Sequence, residues 1–111
     1  MKVVLLHDGG SDEWSATDVA AVLGNIREVE QILRAAGHST ETVPVYLGDL
    51  TWLDRCQKAD LVFNLCEGIG GVSRFEDYVV AALELARVPF TGCRAWPVTI
   101  CHRKHVANTL L

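Results

Sequence analysis

The strongest constraint on the fold is the stretch of residues 60–74, in which an apolar run meets a glycine-rich turn. Residues 61–66 are apolar apart from Asn64, and a short run bounded by turn residues is typical of a strand buried on both faces of a parallel sheet. Glycines can take positive φ and bring the backbone close to a ligand, and three follow the run: Gly68, Gly70 and Gly71.

A helix is expected directly after this turn. Ser73 and Glu76 have the spacing of a capping box, in which each side chain satisfies a free amide of the first helical turn. The order of strand, glycine loop and helix indicates a binding crevice at the carboxyl edge of an open α/β sheet.

The N-terminal third repeats this arrangement. Residues 2–6 form an apolar strand that leads into Gly9 and Gly10, so two glycine loops are predicted on one sheet edge. A long amphipathic helix follows from Thr17, with Ser15 or Thr17 as its cap. Gly37 is expected to end it in the left-handed conformation.

Strands and helices continue to alternate along the rest of the chain. Residues 38–45 predict a strand near a sheet edge, because Pro44 cannot donate to a ladder. A shorter helix should begin near Gly48 and present one apolar face, formed by Leu50, Leu53 and Cys56. A helix over residues 74–87, a short strand over 87–92, a small helix at Pro97 and a helical stretch from 103 to 111 follow.

The alternation predicts an α/β fold with three layers and a mainly parallel sheet of about four strands. With 111 residues, half of them hydrophobic, the chain is expected to form a single domain over residues 1–111. The net charge of −4, without a basic run, argues against nucleic acid or an anionic membrane as partner. The sequence shows neither a signal peptide nor a long apolar run, so we expect a cytoplasmic protein.

Two familiar kinds of site fit the sequence poorly. A zinc site is not expected, because the candidate ligands have no common finger spacing: Cys93, Cys101, His102 and His105. A phosphatase loop needs five residues between its cysteine and arginine, whereas seven separate Cys66 from Arg74.

Three segments resemble the D-alanine–D-alanine ligase family of the ATP-grasp superfamily. Residues 62–68 are similar to the strand that enters the family's histidine–glycine loop, and residues 83–92 resemble its L-E-x-x-G-I-P-Y-T-G segment. Lys104, with Leu110 and Leu111, resembles the D-K-x-x-x-K-x-x-L region that follows. The resemblance implies the Rossmann-like pre-ATP-grasp domain, which lines the site for the first amino acid in complete ligases.

The same resemblance implies a function in peptidoglycan biosynthesis and particular site residues. Glu13 and Glu67 would face an amino-acid or dipeptide-type substrate, the glycines 68, 70 and 71 would shape its pocket, and Lys104 would approach ATP. Glu67 stands where the classical ligases have histidine, and residues 72–74 with an insertion replace their E-D-G, a pattern closer to the D-Ala–D-Ala ligase-like proteins.

The chain is not expected to ligate anything by itself. The phosphate-covering loop, the nucleotide-clamping lysines and the Mg²⁺ carboxylates of an ATP-grasp enzyme are missing from its 111 residues, so it has no catalytic residues alone. ATP, Mg²⁺ and ATP-grasp domains would complete the enzyme. The alternative is a stand-alone, non-catalytic Rossmann-like binding module that forms a homodimer through its apolar helices.

Overall fold

The computed structural model describes residues 1–91 and shows an α/β fold with three parallel strands and three helices. The elements are, in chain order, β1 (Lys2–Asp8), α1 (Ala16–Ala35), β2 (Ser39–Val45), α2 (Thr51–Gln57), β3 (Leu61–Asn64) and α3 (Glu76–Leu85). A 3₁₀ turn, Ser73–Phe75, precedes α3. The helices predicted at Pro97 and over residues 103–111 lie outside the described residues.

The sheet has the order β2-β1-β3, and both neighbours of β1 run parallel to it. Val4 of β1 lies opposite Glu41 on one side and Val62 on the other. Beyond β3, Phe90 forms a parallel bridge with Val62, in the segment for which the sequence predicts a fourth strand. The described sheet therefore has three strands and a single further bridge.

The core is built on β1, in which four successive residues, 3–6, are completely buried. Val4 and Leu6 belong to a cluster with the buried residues of α2 and α3, including Trp52, Cys56, Val79 and Leu83. Val3 and Leu5 point to the opposite face, because side chains alternate along a strand. Helix α1 contacts β1 and contributes one buried residue, Ile26.

The prediction that the strand at 61–66 is buried on both faces was wrong. β3 ends at Asn64, and only Val62 of this strand is buried, whereas Leu61 and Phe63 are half-buried. β1 lies between two strands of the described sheet and is the strand that both layers cover.

Two end signals of α1 are confirmed. Ser15 is the cap, since its hydroxyl accepts from the amide of Asp18 and the Asp18 carboxylate accepts from the amide of Ser15. Gly37 follows the helix with a φ of 91°. The capping choice that the sequence left open is therefore settled in favour of Ser15 over Thr17.

One other local prediction was wrong and a second was right in part. Ser73 does not cap α3, because it lies inside the 3₁₀ turn and Glu76 is the first residue of the helix. Of the apolar face predicted for α2, Cys56 is buried and Leu53 packs against the core, but Leu50 precedes the helix, which begins at Thr51, and is 72% exposed. Trp52 completes the buried face. None of the helices that the structure describes has the length and apolar character needed to cross a bilayer.

Candidate functional site

A cavity of about 550 Å³ opens at the carboxyl ends of β1 and β3. The chain leaves β1 toward β2 on one side of the sheet, whereas β3 lies on the other side, so this is the point where the strand order reverses. Ligands of open α/β sheets bind at such a point. The polar lining residues lie at both strand ends, on α1, in the loop and 3₁₀ turn after β3, at the start of α3 and beyond α3: His7, Asp8, Asn25, Asn64, Glu67, Ser73, Glu76 and Thr91.

Asp8, the last residue of β1, joins the two glycine loops. Its Oδ1 accepts from the amides of Gly10 at 2.8 Å and Gly70 at 2.7 Å, and its Oδ2 accepts from the amide of Gly71 at 2.8 Å. Hydrogen bonds to a carboxylate are stronger than neutral ones. One side chain thus connects parts of the chain that lie more than 60 residues apart in sequence.

The second glycine loop is a tight reversal over residues 69–72. Ile69 and Val72 exchange backbone hydrogen bonds, and the φ angles of Gly70 and Gly71 are 61° and 82°. Two successive positive φ angles are the requirement of a type I′ turn, which glycine meets without strain. The turn directs both glycine amides at Asp8.

Trp14 packs between the two loops. A Cβ placed on Gly10 would lie 2.8 Å from the indole ring, and one placed on Gly71 would lie 2.9 Å from its Nε1. Both positions therefore need glycine for space as well as for φ. Trp14 also lines the cavity, so the indole forms part of the wall that the loops share.

The segment after β3 is fixed by side-chain contacts with the backbone. The side-chain Oδ1 of Asn64 accepts from the backbone amide of Cys66, and the backbone amide of Asn64 donates to the Thr91 hydroxyl. The buried Cys66 thiol donates to the Gly68 carbonyl at 2.9 Å, and burial raises its pKa to about 12. Since the nucleophilic form of cysteine is the thiolate, Cys66 serves as a neutral structural group.

His7 presents one free ring nitrogen. Its Nδ1 lies 2.9 Å from the backbone oxygen of Asp8. A carbonyl oxygen can only accept, so Nδ1 carries a proton in this contact.

The charged groups of the cavity are mostly acidic. Asp8, Glu67 and Glu76 line it, and neither lysine nor arginine is among the described lining residues. Carboxylates accept hydrogen bonds from ammonium or guanidinium groups, whereas bound phosphates require basic side chains or free amides. The amides of Gly70 and Gly71 are already occupied by Asp8, so the cavity suits a cationic group better than a phosphate.

The structure brings some of the predicted site residues together. Glu67 is exposed and lines the cavity, as does Gly71. Gly70 lies beside Gly71 but does not line the cavity. Gly68 is buried, and a Cβ added to it would lie 2.5 Å from the Val72 carbonyl oxygen. Glu13 is exposed and does not line the cavity. Lys104 lies outside the described residues, so its role stays a prediction.

Sequence reasoning did not include the residues that connect the two loops. Asp8 was not predicted as a site residue, although an aspartate at the end of an apolar run before two glycines could have indicated one. Trp14 and His7 carried no comparable signal, because their positions in the cavity depend on contacts between distant segments.

Within residues 1–91, no three His, Cys, Asp or Glu side chains come together in a way that could hold a metal ion. The four residues considered for zinc in the sequence lie beyond the described part of the chain.

Comparisons with known proteins add one relative. A scan against protein-family models matches none of them. The chain is 37% identical over 86 residues to the uncharacterized protein y4sG of Sinorhizobium fredii (strain NBRC 101917 / NGR234). The alignment covers 71% of this chain and 25% of that protein, so the chain spans about a quarter of the length of the curated relative it matches.

Proposed function

We propose that this chain is the N-terminal, substrate-side pre-ATP-grasp domain of a D-alanine–D-alanine ligase-like ATP-dependent carboxylate–amine ligase. The supporting observation is the acidic cavity at the strand-order reversal, with Glu67 in its wall and no lysine or arginine among its described lining residues. Such a cavity would hold the ammonium group of an amino-acid or dipeptide-type substrate. The family resemblance of residues 62–68 and 83–92 supplies the reaction class.

In that reaction class, a carboxylate is phosphorylated by ATP to an acyl phosphate and ADP, and an amine then attacks the acyl carbon and expels inorganic phosphate. The contribution of this domain is binding and orientation. Glu67 would hold the substrate ammonium, and the wall formed by Trp14 and Gly71 would limit its position.

The phosphates of ATP do not fit the described cavity, because neither lysine nor arginine is among its described lining residues and the amides of Gly70 and Gly71 donate to Asp8. Mg²⁺ is not assigned to it either, since no three His, Cys, Asp or Glu side chains of residues 1–91 come together in a way that could hold a metal ion. We therefore assign the nucleotide to ATP-grasp domains outside the described residues, with Lys104 as the residue of this chain proposed to approach it. A longer cytoplasmic enzyme of peptidoglycan biosynthesis is the proposed setting, and a relative about four times the aligned length is compatible with further domains.

The test is a titration of the 111-residue chain with D-alanine, in which binding is monitored by the chemical shifts of the backbone amides. We expect shifts at Glu67 and around the cavity, and Glu67→Gln should weaken binding at least about tenfold, because the neutral amide oxygen is a weaker acceptor for the substrate ammonium than the carboxylate. Glu28→Gln is the matched control, since Glu28 is an exposed glutamate of α1. In the chain joined to its ATP-grasp domains, ATP-dependent ADP release should also be lower for Glu67→Gln than for the wild type and Glu28→Gln.

Equal D-alanine binding by the wild type and Glu67→Gln would refute the site, and absence of D-alanine binding by the wild type would refute the proposed substrate class.

A second candidate, a non-catalytic module that dimerises through its apolar helices, is favoured by one observation. Helix α1 leaves Ile32 70% exposed, on the opposite side of the helix from Leu23, nine residues away. A homodimer that buries Ile32 would show a concentration-dependent sedimentation coefficient, and Ile32→Glu would abolish that dependence.

A further inference from the structure

We infer that Asp8 is a positioning residue, whose carboxylate holds the Gly70–Gly71 turn against the first glycine loop and so fixes the opening of the crevice beside Glu67. The inference rests on the proposed function where it concerns substrate, and on the geometry alone where it concerns the loops.

Asp8 accepts hydrogen bonds from three backbone amides that belong to two different loops. Gly10 belongs to the loop after β1, whereas Gly70 and Gly71 belong to the loop after β3, and all three amides lie within 2.8 Å of a carboxylate oxygen. Two glycines in positive φ present adjacent amides to one anion, which forms a small anion-binding concavity. Here the anion is a side chain of the same protein.

The other contacts between the loops depend on these hydrogen bonds. Trp14 fits against Gly10 and Gly71 only while both backbones keep their present separation, because each Cβ position lies within 2.9 Å of the ring. Gly71 and Trp14 are both part of the cavity wall. The Asp8 carboxylate therefore determines the wall that a bound substrate meets.

The Gly70–Gly71 turn is also connected to Glu67 through the backbone. Glu67 lies three residues before Gly70, and Cys66 and Gly68 on either side of it are fixed by the thiol–carbonyl hydrogen bond. Release of the turn would leave Glu67 held from one side only. Asp8 can thus change the affinity for substrate through the position of Glu67.

Asp8→Asn is the appropriate variant because it keeps the shape of the side chain. Its single carbonyl oxygen can still accept hydrogen bonds from two of the amides. Its NH₂ group then faces the third amide, and because both groups are donors no hydrogen bond forms between them. We expect hydrogen exchange at the Gly71 or Gly70 amide of the 111-residue chain to accelerate about tenfold or more, because that amide loses its hydrogen bond to a charged carboxylate. Asp12→Asn, in the same loop and exposed, is the matched control and should leave both amides unchanged.

Chemical rescue separates positioning from general loss of stability. In Asp8→Ala, added formate can occupy the vacated concavity and restore the protection of Gly70 and Gly71, whereas chloride at equal ionic strength should not. If Asp8→Asn leaves both amides as protected as in the wild type, or if formate and chloride act alike on Asp8→Ala, the inference is overturned.

Binding of D-alanine then tests the link to substrate. Asp8→Asn should weaken it about as strongly as Glu67→Gln, and Asp12→Asn should not. Wild-type affinity in Asp8→Asn would overturn the inference and leave the proposed function intact. If the wild type itself does not bind D-alanine, the proposed function fails, and the exchange and formate results alone decide whether Asp8 positions the loops.

Discussion

Gly68 and Gly24 are two glycines whose surroundings predict opposite effects of the same substitution. A Cβ on Gly68 would lie 2.5 Å from the Val72 carbonyl oxygen, and backbone on both sides would have to move. A Cβ on Gly24, in the exposed face of α1, would meet nothing within 4 Å. The local environment, rather than the residue type, decides whether replacing a glycine by alanine stabilises or destabilises the protein.

We therefore expect Gly68→Ala to lower the free energy of unfolding by about 1–3 kcal/mol, the usual cost of overpacking. Gly24→Ala should raise it by up to about 1 kcal/mol, because alanine is the better helix former. Urea denaturation of both variants beside the wild type provides the measurement. Destabilisation by Gly24→Ala, or an unchanged midpoint for Gly68→Ala, would contradict the packing described around the second glycine loop.

At the scale of the element, the start of α1 gives a similar pair. Ser15 caps the helix, whereas Thr17 lies inside its first turn and is exposed. Ser15→Ala should cost about 1 kcal/mol of the free energy of unfolding, because it leaves the Asp18 amide without its acceptor. Thr17→Ala should be neutral or slightly stabilising. Equal losses from the two variants, measured by thermal and urea unfolding, would show that the cap is not Ser15.

The elements that could be predicted from sequence are those whose signal is local. The apolar run that became β1, the 3–4 spacing of α1 and the terminator Gly37 are properties of contiguous residues, and the structure has them. The cap of α3 failed because Ser73–Phe75 forms a 3₁₀ turn instead. The face of α2 was predicted in part: Leu53 and Cys56 pack in the core, but the helix begins at Thr51 rather than near Gly48, so Leu50 precedes it and is exposed.

The site was less accessible to prediction than the elements. Both glycine loops and their shared sheet edge follow from the order of strands, turns and helices, whereas the roles of Glu67 and Gly71 follow from the family resemblance. The contacts of Asp8 with Gly70 and Gly71 span more than 60 residues of sequence. Such a pairing depends on the register of β1 beside β3, which a local pattern does not contain.

At the scale of the whole molecule, the two proposed functions differ in what covers α1. This helix has 20 residues, but among the described residues only Ile26 of α1 is buried, at 4% exposure, whereas Ile32 is 70% exposed. In a monomeric substrate-side domain, Ile26→Ala should lower the free energy of unfolding by about 2–5 kcal/mol, and Ile32→Ala should change it by less than about 0.5 kcal/mol.

The protein concentration makes this pair of variants decisive. We expect the small effect of Ile32→Ala to be the same at low and high micromolar concentration, because a side chain that stays in water contributes little. If α1 instead pairs with a second copy, Ile32 becomes buried at high concentration, and its truncation would then destabilise the protein only there, since dimer stability depends on mass action. Unfolding curves at two concentrations, with Ile26→Ala as the concentration-independent control, thus distinguish the substrate-side domain from the dimerisation module.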